Sequence, residues 1–293
     1  MPRVADFLGH LWHDEGLSLP TVKGYRSALS SVYRQKGLDI TTDQDLRDIV
    51  RGFANQVPRR TFSCPNWDLD IVLKALTQEP FEPLAQASFK RLSQKTIFLL
   101  SLATAKRVGE IQGLSHRVAY RQEDMILSYL PNFFPKTDTA EMPLPREFKL
   151  KSLSSILGRD MIERTLCPVR ALHFYLDRTK GVSPRPGNLF LAIKDDHLAM
   201  KKNAISYYLR EVIRYAHRTQ PEATYPVGDI RAHSIRAVAT SMNFRKNRSF
   251  ASVLEAATWR GNSIFVSHYL KDVQRTYEHC SALGPIVAAG EVL

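Results

Sequence analysis

Arg107, Lys136, His233, Arg236, Trp259 and Tyr269 make a phosphodiester-handling set if the fold brings them together. Guanidinium forks match phosphate oxygens two at a time. A tyrosine hydroxyl can attack phosphorus, a lysine can protonate a leaving oxygen, and an imidazole can move a proton between them. His233 and Arg236 stand three residues apart and share one face of a helix. Both can be cationic, which is a poor structural pair but a sensible phosphate site, because an anion relieves the repulsion. Taken singly, each residue also has a bland role. Arg107 fits a surface pair with Glu110, and His233 with Arg236 fits a solvated basic face. Trp259 fits a packing position, and Tyr269 is one of 11 tyrosines. Order and spacing along the whole chain are what lift the set above those readings.

The elements that must position these residues are mostly helical. Residues 1–56 read as a small helical bundle. Phe7, Leu8, Leu11 and Trp12 share a helical face. A second helix follows Ser18, with Pro20 near its start and Gly37 past its end. Its expected core face is Val22, Tyr25, Leu29, Val32 and Tyr33. A third helix carries Leu46, Ile49, Val50 and Phe53. Residues 57–65, VPRRTFSCP, hold two prolines with Arg59 and Arg60, show no periodicity, and read as a linker.

From residue 66 onward helical patterning returns. Leu69, Val72, Leu73 and Leu76 form one stripe, and Ile97, Leu99 and Leu100 lie in another. Between Met125 and Leu150, short β-tolerant runs broken by prolines and by Thr137-Asp138-Thr139 predict a small antiparallel sheet, with Lys136 near a hairpin turn. Helical spacing resumes over Pro168–Leu176 and at Ile205, Tyr208, Leu209, Val212 and Ile213. Gly261-Asn262 marks a turn between Trp259 and a short helix bearing Tyr269. The apolar set Leu283, Ile286, Val287, Val292 and Leu293 ends the chain, and packing as a helix on its own domain is one expectation for it.

Bulk composition narrows the partners. Lys plus Arg number 41 against 29 Asp plus Glu, a net charge of +12 with a pI near 9.7. That balance favours a polyanion, nucleic acid before an anionic membrane surface. No apolar run approaches the roughly 18 residues of a membrane span, and MPRVADFLGHLW does not read as a secretory signal. Cys64, Cys167 and Cys280 are odd in number and far apart, so neither a disulfide framework nor a zinc site is expected, and a reducing compartment fits.

The ensemble resembles the tyrosine recombinases of the phage-integrase family. That family shows T-G-x-R-x-x-E, then a lysine on a β-hairpin, then H-x-x-R, a histidine or tryptophan, and a tyrosine about nine residues later. Here Thr104-Ala105-Lys106-Arg107 precedes Glu110, Lys136 follows at the expected hairpin, and His233-Ser-Ile-Arg236 runs on into Ala239-Thr240. Trp259 takes the histidine-or-tryptophan place and Tyr269 lies ten residues on, one more than usual. Ala105 stands where the family often has glycine. The segment TVKGYRSALSSVYRQKG resembles the family's helical core-binding domain. The phrases Leu-Cys-Pro-Val-Arg-Ala-Leu and Ala-His-Ser-Ile-Arg-Ala-Val-Ala-Thr-Ser look closest to recombinases of DIRS/Ngaro-type or Crypton mobile elements.

The resemblance implies a mainly α fold with a small antiparallel β-sheet in two domains. Residues 1–56 would be a core-binding domain, 57–65 the linker, and 66–293 the catalytic domain with a tail from about 276. It implies double-stranded DNA as partner, gripped in part by Arg59 and Arg60, and a homotetramer on two duplexes assembled from monomers or dimers, with no membrane partner. It favours a tail docked on a neighbouring protomer. It implies no metal and no cofactor, since the phosphotyrosyl ester conserves bond energy. Lys136 would be the general acid, with Lys149 and Lys151 as nearby alternatives, and Glu110 would orient Arg107 or His233. A eukaryotic element implies nuclear location, and a bacterial host the cytoplasm or nucleoid. Two rivals remain at this level: a type IB topoisomerase-like enzyme, and a domesticated DNA-binding protein without cleavage.

Overall fold

The computed structural model describes residues 2–57, 67–141, 143–153, 164–219, 230–245 and 290–292. The chain divides into two compact units, Met1–Thr61 and Phe62–Leu293. Arg59, Arg60, Trp259 and Tyr269 lie outside the described residues.

The first unit holds α1 (Pro2–His13), α2 (Leu19–Gln35) and α3 (Gln44–Gln56). Pro20 sits in the first turn of α2, and Gly37 follows its end at φ +77. Asp43 caps α3 by accepting the Leu46 N–H at 3.0 Å. Val4, Leu8, Leu11, Val22, Ile40, Leu46, Val50 and Phe53 form the core. Two residues of the expected core face of α2, Tyr25 and Val32, are instead exposed, and so is Phe7 on α1. Helical geometry gives the reason. At about 100° per residue, Val22, Leu29 and Tyr33 fall within roughly 20° of one line, whereas Tyr25 and Val32 sit about 60–80° round the helix. Two neighbouring helices cover only the narrow stripe. Phe7 and Tyr25 meet each other edge-on at the surface, 6.0 Å apart.

The second unit is mainly helical around a small antiparallel sheet. Its elements are α4 (Leu69–Leu76), α5 (Phe89–Thr104), α6 (Val108–Gln112), β1 (Leu114–Arg121), β2 (Asp124–Tyr129), β3 (Glu147–Leu150), α7 (Pro168–Thr179), α8 (Lys202–Thr219), α9 (His233–Arg245) and β4 (Gly290–Val292). Helix α5 runs through the middle and is buried on every side from Leu92 to Thr104, packed by α7, α8 and α9. Several of its polar side chains find partners inside the fold. Thr96 donates to the Leu92 carbonyl at 2.8 Å, and Lys95 donates to the Leu76 carbonyl and pairs with Glu82. Burial acts to raise the Glu82 pKa, but bonds from Arg170 and Lys95 outweigh it and hold the carboxylate below its usual range.

The sheet order is β1-β2-β3-β4. Strands β2 and β3 alternate as a half-buried sheet requires, with Leu127 opposite Phe148 and Met125 opposite Leu150 facing the core. The sheet starts earlier than the sequence pattern suggested, at Leu114. Strand β1 is exposed over most of its length, so no apolar alternation marks it. Residues 130–141 and 143–146 belong to the connection between antiparallel β2 and β3, so Lys136 lies in a hairpin loop as expected. Pro131, Pro135, Pro143 and Pro145 remove the ladder donors a strand would need there. At the chain end, Gly290–Val292 is a strand paired with this chain's own β3, Val292 opposite Phe148, instead of a helix.

Candidate active site

The site is built where α5 stops. Ala105 ends that helix in the left-handed region at φ +50, with its N–H still bonded to the Ser101 carbonyl. This is a conformation glycine adopts freely, so a methyl here costs on the order of 1 kcal/mol. The reversal throws Arg107 into extended backbone as the cap of α6. Glu110, one turn on, accepts the Arg107 backbone N–H at 3.0 Å and its guanidinium Nη1 at 2.7 Å. The Glu110 carboxylate is 2% exposed and lies 3.8 Å from Nη1 of Arg236, which is equally buried. One carboxylate therefore sits between the two arginines, hydrogen-bonded to Arg107 and within ion-pair distance of Arg236.

Helix α9 supplies Arg236 and, at its first residue, His233. Ser234 between them accepts a 2.8 Å bond from the Trp67 indole, while its own hydroxyl donates to the Arg231 carbonyl. Thr240 donates to the Arg236 carbonyl at 2.8 Å. His233 keeps an exposed edge. Burial of the rest of the ring, then the charges of Arg236 and Arg107, holds its pKa below the ordinary histidine range. That direction favours the uncharged imidazole, the form that can accept a proton.

Lys136 projects from the 130–146 loop. Arg146 pins that loop, donating to the carbonyls of Phe133 (2.7 Å), Leu130 (2.8 Å) and Pro131 (3.2 Å), and standing 3.6 Å from Asp138. Asp138 in turn accepts the Leu144 N–H at 2.9 Å. Phe133 anchors the loop on Gly113. A β-carbon built at Gly113 would lie 2.3 Å from the Phe133 ring, so only glycine allows that approach. Gly113→Ala is expected to cost about 1–3 kcal/mol through overpacking and to weaken any activity that needs Lys136. A double-mutant cycle of thermal melts checks this: Gly113→Ala should cost less in a Phe133→Ala background than in wild type.

An open cleft of about 1050 Å³ brings Arg107, Glu110, Lys136 and His233 together. Lys149 and Lys151 do not line it. Three cations that the sequence pattern did not single out do: Lys202, Arg210 and Arg231. A signal for two of them was present, because Lys202, Ser206 and Arg210 recur every four residues along α8, on the face that flanks its buried stripe of Ile205, Leu209, Val212 and Ile213. Lys106 was also missed. It is 8% exposed, with its Nζ 4.9 Å from the centroid of the Phe148 ring. Burial chiefly, with Arg236 and Arg107 adding and Glu110 opposing, lowers its pKa to about 8. Among the described residues no group of three His, Cys, Asp or Glu could hold a metal ion. None of the described helices is long and apolar enough to cross a membrane.

Two solved structures share this arrangement of elements. One is the XerH site-specific recombinase in a post-cleavage complex with palindromic difH substrate. Its TM-score is 0.57 at 16% identity, over 92% of this chain and 69% of that one. The other is a lambda integrase(75–356) dimer bound to a COC′ core site. It scores 0.50 at 14% identity, over 93% of this chain and 80% of that one. The chain has the fold of the site-specific recombinases. No family profile matches the sequence, and no curated protein matches it. A recombinase fold is mainly helical with a small antiparallel sheet, as the sequence pattern predicts.

Proposed function

We propose that this chain is a tyrosine-type site-specific recombinase that cuts and rejoins double-stranded DNA through a 3′-phosphotyrosyl intermediate. The observation that carries the reading is the pair Arg107 and Arg236 held on one buried carboxylate, beside a cleft that also presents His233 and Lys136. Preorganised guanidinia suit the transition state, whose negative charge grows on the non-bridging phosphate oxygens. Tyr269 attacks phosphorus, the tyrosyl P–O bond forms, and the bond to the 5′-oxygen breaks. A phenol is a weak nucleophile at neutral pH, so it needs a proton acceptor, and neutral His233 supplies one. Lys136 gives a proton to the departing 5′-oxygen. Trp259 donates its indole N–H to a phosphate oxygen. Glu110 acts through the arginines as a positioning residue.

DNA as partner is supported by charge on both units. In the first unit, Lys23, Arg26 and Arg34 line one pocket with Ser27, Ser30, Ser31 and Thr41. Helix α2 has no acidic residue at all. In the second unit, Lys202, Arg210 and Arg231 extend the positive lining of the cleft. On this reading residues 1–56 are a core-binding domain, 57–65 a linker whose Arg59 and Arg60 cross the duplex, and 66–293 the catalytic domain. Two duplexes are joined in a homotetramer. The phrases Leu-Cys-Pro-Val-Arg-Ala-Leu and Ala-His-Ser-Ile-Arg-Ala-Val-Ala-Thr-Ser support mobilisation of an element of the DIRS/Ngaro or Crypton kind, and with it nuclear action.

The decisive experiment is an SDS-resistant adduct assay on nicked duplexes from the terminal repeats of the source element. Wild type is expected to give a covalent band and Tyr269→Phe none. A band that persists in Tyr269→Phe sinks the assignment of the nucleophile. Salt-sensitive binding without an adduct from wild type on any nicked substrate sinks the enzyme reading in favour of a binding protein.

A further inference from the structure

Phe134 stands out among the residues that catalysis does not use. It is 70% exposed, more than any other large apolar side chain among the described residues, and it lines the same cleft as Arg107, Lys136 and His233. Its neighbour Phe133 is folded inward, tilted against Tyr129 at 5.3 Å and pressed on Gly113. Two adjacent aromatic rings thus have opposite fates: one anchors the loop and the other is held out in water.

The exposure is not a consequence of a loose loop. The Arg146 guanidinium lies 5.2 Å from the centre of the Phe134 ring, and Arg146 is itself fixed by the carbonyls of Phe133, Leu130 and Pro131. The ring is therefore backed by a charged plane on a pinned support. The surroundings are positive: Lys136 is two residues away, and Lys202, Arg210 and Arg231 line the same cleft. An apolar protein surface would lose the hydration of those cations for little return. A partner that is flat and apolar in one part and anionic in the next satisfies both features, and a nucleotide is that partner.

We infer that Phe134 is a nucleobase-contacting residue: its free face stacks against a base unstacked from the duplex next to the phosphate held in the cleft. The inference rests on the DNA strand-transfer reading and adds to it a contact that no charge supplies. Stacking on an aromatic face tolerates any base, so Phe134 sets the position of the strand in the cleft more than its sequence. The backing guanidinium strengthens the ring's hold on its own place.

The test uses the full chain with a duplex carrying a short single-stranded gap, which supplies bases with free faces, by fluorescence anisotropy at several salt concentrations. Phe134→Ala is expected to weaken binding about tenfold with the salt slope of wild type, because no phosphate contact is lost. Phe134→Leu keeps apolar bulk without a π-face and should bind as weakly as the alanine variant. Phe134→Trp should bind at least as well as wild type, and its added indole emission should be quenched when duplex is present. Wild-type affinity in Phe134→Ala, full recovery in Phe134→Leu, or an unquenched added indole overturns the stacking role and leaves the strand-transfer reading intact. Absence of duplex binding by wild type overturns both.

Discussion

Glu110→Gln is expected to lower stability by about 3–5 kcal/mol, read as a fall in the urea midpoint, because it removes a buried charge that faces buried charge. The side chain is 2% exposed and makes three contacts with arginines: the Arg107 N–H, the Arg107 guanidinium, and Arg236 at 3.8 Å. Glutamine keeps the shape and can accept one of these bonds. It cannot neutralise either guanidinium, and its amide N–H groups turn toward donors. The loss therefore has an electrostatic signature. Sulfate, which places an anion at the arginines, should raise the melting temperature of the variant more than that of wild type. An equal rise in both, or a stability loss below about 1 kcal/mol, would show that the arginines are held by other means. Strand cleavage should fall too, since each guanidinium loses its fixed direction and reorganisation must then occur during the reaction.

How much of this was legible in sequence differs between fold and site. The helices of the second unit were readable where apolar residues recur on one side, as at Leu69, Val72, Leu73 and Leu76, all of them buried. Helix α5 was readable as apolar, but its all-round burial was not, because Ser93, Gln94, Lys95 and Thr96 look like a polar face until their internal partners are known. Strand β1 carried no alternation, while four prolines marked the hairpin loop that holds Lys136. The order of Arg107, Lys136 and His233-x-x-Arg236 was legible, and the structure brings Arg107, Lys136 and His233 to one cleft, with Arg236 behind Glu110. Tyr269 and Trp259 fall outside the described residues. Left illegible was the geometry that depends on backbone. Nothing in a string of letters says that Ala105 takes a left-handed turn, or that Gly113 must admit a phenyl ring. The extra cations of α8 were present as a four-residue rhythm, but a charged stripe on a helix is ordinarily just solvated.

Lys106→Met is expected to stabilise the protein at pH 7, by an amount on the order of 3 kcal/mol at most. Lys106 is buried among Arg107, Arg236 and Glu110, and burial chiefly lowers its pKa from 10.5 to about 8. Lowering a pKa by one costs the charged form about 1.4 kcal/mol. The sign follows from proton counts. Below pH 8 folded and unfolded chains both carry the proton, so the folded chain bears the full cost of a buried ammonium. Between pH 8 and 10.5 the folded chain releases the proton while the unfolded chain keeps it, so stability rises with pH across that window. Methionine carries no such cost, so the advantage of Lys106→Met should be largest at pH 7 and shrink toward zero by about pH 10. The subtraction is needed because Lys95 is also buried and lowered to about 8, and contributes the same slope to both proteins. Urea titrations of wild type and variant from neutral pH up to about pH 10 measure the difference. A constant difference across that range would mean that Lys106 titrates as an ordinary lysine. On the strand-transfer reading this cost has a return, because a phosphate at Arg107 and Arg236 would stabilise the charge on Lys106 as well.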